Sequence, residues 1–208
     1  MKKNSAELEP QNPLKVFKTL GATNHAVSER VEYDYYATHP SMVNDLLKVE
    51  YFGKDILEPC CGEGHIAKFL TEKGYNVTAT DLINRGYGKV KDCLDYTEWH
   101  GDIITNPPYK ILVDCMRTFL EIVPNGSKVA LLLRILALEG KARGEIYDEF
   151  PLKAYYVYRH RLPCVVRNGE FDTCTASAMN YAWYVWEKGY KGKPVIEWIK
   201  RSAKDPMF

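Results

Sequence analysis

No run of about 20 apolar residues occurs in the 208-residue sequence, so no segment reads as a bilayer-spanning helix. The opening stretch, MKKNSAELEPQNP, lacks the apolar core of a secretory leader, and a cytoplasmic protein is expected. The six cysteines form no CxxC pair, and the adjacent Cys60 and Cys61 suit neither a zinc site nor an ordinary disulfide; reduced thiols and no metal are expected. Internal repeats and low-complexity tracts are lacking too, which excludes solenoid architectures. Strong charge of either sign is also missing. The net +1 divides into 16 Lys+Arg against 19 Asp+Glu up to residue 139 and 12 against 8 from residue 140 onward. That is a mild lean of the last third toward a polyanionic partner, well short of the basic surplus of a dedicated nucleic-acid binder.

What is present is an ordinary globular composition, 46% hydrophobic and 26% charged. The length suits one domain with a small appendage, and we expect an N-terminal arm over 1–30 and a single domain over 31–208. A helix is expected over 41–49, with Ser41 as its cap and Met42, Val43, Leu46 and Leu47 at helical spacing. Strand-like and helix-like segments then alternate: strands over 55–57, 76–80, 102–105 and 128–133, helices over 66–73 and 111–123. Such alternation implies parallel strands covered on both faces. The fold class read from this is α/β, Rossmann-like, with a mostly parallel sheet. Segments 155–158 and 176–186 are rich in aromatic and β-favouring residues and extend that sheet through the basic region 140–208.

Three places carry residues suited to chemistry. In LEPCCGEGH, residues 57–65, a strand runs into Glu58, a turn follows through Gly62 and Gly64, and a helix begins at once. Glycine lacks a Cβ, so such a turn lets backbone approach a ligand outside the carboxyl ends of the strands. The dinucleotide pattern GxGxxG is incomplete, and an acid before the glycines would repel a pyrophosphate; a cationic, nucleoside-like ligand fits better. Asp81 ends the next strand, 17 residues beyond Gly64, where a carboxylate can accept from both hydroxyls of a ribose, with Leu82 free to pack on a base. Third, DIITNPPY at 102–109 ends a strand in Asn106, Pro107, Pro108 and Tyr109. Two prolines without amide hydrogens force the chain out of the sheet. The result is either a structural stop or a pocket for a flat, hydrogen-bonding ligand.

Taken in order, Tyr36-Ala37-Thr38-His39-Pro40, the turn Glu58 to Gly64, Asp81, Asp92-Cys93-Leu94 and Asn106-Pro107-Pro108-Tyr109 resemble the motifs of S-adenosylmethionine-dependent N(6)-adenine DNA methyltransferases. The resemblance spans roughly 17–133, and phage and prophage members look most similar. Two positions depart from the pattern: Cys60-Cys61 stands where an aromatic is common, and His39 separates Thr38 from Pro40. The NPPY element is shared with RNA adenine and protein glutamine methyltransferases, and these remain alternatives, as does a binding module without turnover.

The resemblance implies S-adenosyl-L-methionine as cofactor and DNA as partner, with the target adenine flipped out of the duplex. It implies that Asn106 and the Pro107 carbonyl accept hydrogen bonds from the adenine amine, while Pro108 fixes the turn and Tyr109 stacks on the ring. Thr38 and the turn through Cys60, Gly62 and Gly64 would hold the methionine part, Glu58 its amino group, Asp81 the ribose and Asp92 the cofactor's adenine amine. Asp95 competes for that last role. Tyr36 either contacts the cofactor or packs as an arm residue. Phe171 would help wall the target base. Apart from the resemblance, Arg159, Arg161 and Arg167, with Lys188, Lys191 and Lys193, read either as a solvated rim or, from their concentration in the part of the chain expected beside the site, as phosphate contacts. Fewer than 80 residues follow Leu133, so a separate recognition domain is not expected; low sequence preference, a partner or an RNA target would follow.

Overall fold

Three strands of nearly unbroken apolar character set the centre of the structure: Asp102–Thr105, Lys128–Arg134 and Tyr181–Glu187, with every residue of the first and nearly all of the others buried. A strand apolar on both sides needs a covering layer on each face. The computed structural model describes residues 36–159, 165–166, 171 and 180–200. The chain divides into Met1–Glu32 and Tyr33–Phe208; the first unit, and with it the arm expected over 1–30, lies outside the described residues.

The strands are β1 (Ala37–Thr38), β2 (Asp55–Glu58), β3 (Asn76–Asp81), β4 (Lys89–Val90), β5 (Asp102–Thr105), β6 (Lys128–Arg134), β7 (Ala154–Tyr158), β8 (Val165–Val166), β9 (Tyr181–Glu187) and β10 (Val195–Ile199). Among the described residues four α-helices accompany them: α1 (Pro40–Val49), α2 (His65–Glu72), α3 (Leu112–Ile122) and α4 (Lys141–Glu149). Eight strands form one sheet in the order β4-β3-β2-β5-β6-β9-β7-β10. β9 alone runs against its neighbours, antiparallel to both β6 and β7. A separate antiparallel pair joins β1 to β8, Ala37 opposite Val166 and Thr38 opposite Val165.

Side chains alternate across a strand, so neighbouring residues feed opposite layers. Ile104, Leu132 and Trp183 pack with Met42, Leu46 and Leu70 of α1 and α2. Ile103, Leu131 and Tyr184 pack with Met116 and Phe119 of α3 and Ile146 of α4. Asp102 ties three strands together at their starts: its carboxylate accepts the Gly53 N–H at 2.6 Å and the Lys128 N–H at 2.7 Å. Among the described residues no helix is long and apolar enough to cross a membrane.

The expected α/β sheet is observed, with three local corrections. Ser41 does not cap α1; His39 does, its Nδ1 accepting the Ser41 N–H at 3.1 Å, with Pro40 preset for the first turn. The last long strand begins at Tyr181, and 176–179 lie outside the described residues. The sequence also gave no warning of α4 or β10. α4 buries only Ile146, and four of the five β10 residues are exposed, so neither shows a clear apolar period.

Candidate functional site at the carboxyl ends of β2, β3 and β5

β2 lies between β3 and β5 in the sheet, all parallel, so the residues leaving their carboxyl ends share one edge. From β2 the chain passes through Glu58 into a turn where Gly62 and Gly64 hold φ of 54° and 80°, angles that favour glycine. The turn is bolted to β3: Cys61 N–H donates to the Thr80 carbonyl and Gly62 N–H to Asp81 Oδ2, each at 2.8 Å. The other Asp81 oxygen accepts the Ile83 N–H at 2.9 Å. Its carboxylate is thereby oriented while each oxygen keeps a lone pair for a further donor. A Cβ on Gly64 would stand 2.2 Å from the Tyr87 ring, which covers the turn.

Glu58 is 1% exposed, and one carboxylate oxygen has no hydrogen-bond partner. Burial raises its pKa well above the ordinary 4.5, the Asp81 charge adds to this, and the Ala67 N–H at the start of α2 opposes it. An acid in that position calls for a cationic or N–H-bearing group. Burial, together with the Glu58 and Asp81 charges, also pushes the Cys61 thiol up to about 12.

β5 ends at Thr105, and Pro108 leads into a single 3₁₀ turn, Tyr109–Ile111, so the two prolines take the chain out of the sheet as their chemistry requires. Half-buried Asn106 between them has a fixed side chain. Its Nδ2 donates to the Tyr36 carbonyl at 3.2 Å and to Thr38 Oγ1 at 3.1 Å. A carbonyl only accepts, so this contact sets which amide atom is nitrogen. The Oδ1 atom is shielded from solvent and has no partner. Beyond it, the guanidinium carbon of Arg134, at the end of β6, lies 4.7 Å from the centre of the Tyr109 ring.

The remaining expected residues sort themselves by position. Asp92 Oδ1 accepts the Leu94 N–H at 2.9 Å and caps the 3₁₀ turn Cys93–Asp95, while Asp95 is exposed. Leu82 is 53% exposed beside Asp81. Phe171 lies edge-on to His39 and His65, with ring centres at 4.8 and 5.0 Å, which brings it to the starts of α1 and α2 beside the glycine turn. Arg159 is exposed just past the end of β7, on the crevice side of the sheet; Arg161 and Arg167 lie outside the described residues.

The lysines expected with them do not belong to this edge. Lys128 pairs with Glu187 and Arg134 with Tyr181, so Lys188, Lys191 and Lys193, following β9, lie at the opposite end of the sheet. The reversal of β9 puts them there. Lys188 donates to the Leu120 carbonyl and, at 3.3 Å, to that of Glu121 near the end of α3.

Two groups escaped the sequence reading. Cys60, Cys93 and Cys115 meet as three thiols, the last two with Sγ atoms 3.7 Å apart, joining the glycine turn, the Asp92 turn and α3. Their sequence separation hides this contact. Arg134 could have been found, because a charged residue ends a buried aliphatic strand there, as Glu58 does on β2.

No known family model and no curated protein matches the chain. Solved structures match its fold. A putative class I S-adenosylmethionine-dependent methyltransferase from Listeria monocytogenes superposes with a TM-score of 0.58 and 11% identity, covering 93% of this chain and 72% of its own. A modification subunit of a putative type I restriction enzyme from Vibrio vulnificus gives 0.55 and 13%, over 92% of this chain and 52% of that one. TehB from Haemophilus influenzae gives 0.51 and 14%, over 76% and 64%. The chain thus spans about half of the modification subunit and less than two thirds of TehB. Its sheet and helices are those of the Rossmann-like methyltransferase fold.

Proposed function

We propose that the protein transfers a methyl group from S-adenosyl-L-methionine to the exocyclic N(6) amine of adenine in DNA. The observation that carries this reading is the orientation of Asn106, whose amide nitrogen is committed to Tyr36 and Thr38 and whose oxygen is shielded and unpartnered. A buried acceptor without a donor is costly unless a ligand supplies one. The amine of adenine does so.

The lone pair of that amine is delocalised into the ring, which makes it a poor nucleophile. Asn106 Oδ1 and the Pro107 carbonyl, as acceptors for its two hydrogens, return electron density to nitrogen. Pro108 holds the turn, and Tyr109 presents a ring on which the base stacks, a contact worth about 1–3 kcal/mol. An adenine inside a duplex cannot reach such a crevice, so the base is extruded.

The crevice fits the cofactor. The unpartnered Glu58 oxygen suits an ammonium, Asp81 is oriented for ribose hydroxyls, and the tight turn through Gly62 and Gly64 links the two acids. Thr38 and Cys60 are the proposed borders on the methionine side, and Leu82 and Asp92 those on the side of the cofactor's base. When bound, S-adenosyl-L-methionine supplies an already activated methyl group, so the protein's work is alignment and electrostatics. Arg159, Arg161 and Arg167 are proposed phosphate contacts.

Support from the fold is coarser: one structural neighbour is named as a putative class I S-adenosylmethionine-dependent methyltransferase and another as a modification subunit of a putative type I restriction enzyme. Incubation with methyl-labelled cofactor and separate DNA, RNA and protein acceptors tests the proposal. Label in DNA at N(6) of adenine is the expected result. Label in protein alone would refute it, and label in RNA alone would move the substrate to the other nucleic acid.

A further inference from the structure

The Arg134 guanidinium packs over Tyr109, the ring proposed to stack on the base, and the transfer reaction gives it no task. The Arg134 main chain is anchored by hydrogen bonds. The Tyr184 hydroxyl shares its single hydrogen between the carbonyls of Arg134 at 2.9 Å and Ile135 at 3.0 Å, and the Ile135 N–H donates to the Asn180 carbonyl at 3.0 Å. Its guanidinium carbon stands 4.7 Å over Tyr109, and it lies close enough to the buried Tyr181 hydroxyl to oppose the rise in that group's pKa. The Nε atom is shielded from solvent without a hydrogen-bond partner, and among the described residues no carboxylate pairs with the charge. A half-buried cation walled by tyrosines and lacking an anion is incompletely satisfied. Guanidinium prefers planar, two-point contact with carboxylate or phosphate.

The register says which way it faces. Thr105 pairs with Leu131 on the adjacent parallel strand, so Asn106 is level with Leu132 and Arg134 stands two residues further out. At roughly 3.3 Å per residue that is about 7 Å beyond the amine acceptor. A base held by its amine edge at Asn106 points its sugar and phosphate outward, toward Arg134. The turn Ile135–Leu138 beside it exposes Leu136 at 67% and Leu138 at 45%, apolar surface suited to sugar and base faces.

We propose that Arg134 is a phosphate-binding residue of the substrate crevice, pairing with a phosphodiester next to the extruded adenine. The crevice then selects a nucleotide over the amide side chain of a protein. This rests on the methyltransferase reading above and adds a subsite to it.

The test uses the full chain, Arg134→Gln and Arg134→Lys, with a fluorescein-labelled single-stranded oligodeoxyadenylate followed by anisotropy at several sodium chloride concentrations. Arg134→Gln should bind roughly tenfold more weakly, and its slope of log affinity against log salt should shrink by about 0.7, the loss of one phosphate contact on a single strand. Arg134→Lys should keep the slope. Replacing the phosphates around one adenine by neutral methylphosphonates should weaken the parent by a similar factor and leave Arg134→Gln unaffected. Circular dichroism checks that the variants fold; if Gln does not, the methylphosphonate series on the parent and Arg134→Lys still decides. An unchanged slope in Arg134→Gln, or full additivity with the neutral linkage, overturns the phosphate subsite while leaving methylation of DNA intact. A parent that binds and methylates no nucleic acid removes both the subsite and the function it depends on.

Discussion

Asn106 and Thr38, 68 positions apart, are joined by a 3.1 Å hydrogen bond from the asparagine amide to the threonine hydroxyl. The bond couples the segment entering α1 to the turn that leaves β5. It also leaves the Asn106 oxygen facing away from both of its anchors.

Asn106→Ala should keep cofactor affinity within a few-fold and lower methyl transfer by on the order of 100-fold, the usual size for loss of one preorganised polar contact in a transition state. Thr38→Val removes one of two anchors and should give a milder loss. Equilibrium dialysis with labelled cofactor, set against turnover, separates the two effects. Transfer at the parent rate by Asn106→Ala would remove the proposed role.

Tyr109→Phe should retain nearly full activity, whereas Tyr109→Ala should weaken the apparent affinity for DNA by roughly 10- to 100-fold through lost stacking. Steady-state kinetics with the DNA concentration varied reads this directly. Equal KM values for the Ala variant and the parent would contradict it.

Gly64→Ala meets two obstacles, a φ of 80° and a Tyr87 ring 2.2 Å from the new methyl. We expect a loss of about 2 kcal/mol or more in urea unfolding. Combining it with Tyr87→Ala should recover the steric part and not the backbone part. No recovery in the double variant would mean that the ring contact is irrelevant.

The Glu58 carboxyl keeps its proton in the folded chain to a pH well above the ordinary 4.5, chiefly because it is buried. The unfolded chain releases that proton near the ordinary value. Its contribution to stability is therefore complete below about pH 4.5 and declines as pH rises toward the folded value. Glu58→Gln has no proton to hold, so the gap between its melting temperature and that of the parent should widen in favour of Gln from acid to neutral pH. Parallel curves would mean that Glu58 is ionised in the fold.

Asp102→Ala leaves the Gly53 and Lys128 N–H groups without an acceptor at the start of the central strands. A loss of about 3 kcal/mol in urea unfolding is expected. A change under 1 kcal/mol would indicate that water replaces the carboxylate freely.

Much of this architecture was legible because its signals are local. Apolar runs bounded by Gly74, Pro124 and Gly126 marked strands and helices, and Glu58, Asp81 and Asn106 each follow a strand that the sheet brings to one edge. Elements whose stability comes from neighbours were harder to read. β10 exposes Val195, Ile196 and Trp198 and exists through its pairing with β7. Whether Lys188 stands near the crevice depended on the direction of β9, which no propensity encodes. The cap of α1 differs from the expected Ser41 because His39 competes with it through a ring nitrogen that simple cap preferences overlook.

β9 has a consequence for biosynthesis. It is the penultimate strand of the sheet in chain order, yet it sits between β6 and β7 and supplies hydrogen bonds to both. A ribosome that has not yet delivered Tyr181–Glu187 therefore holds a chain whose β6 and β7 flanks are both open, sticky surfaces for chaperones or for one another. The sheet closes only after β9 is delivered, and a premature stop codon upstream of Tyr181 is expected to yield an aggregation-prone fragment in place of a smaller working version.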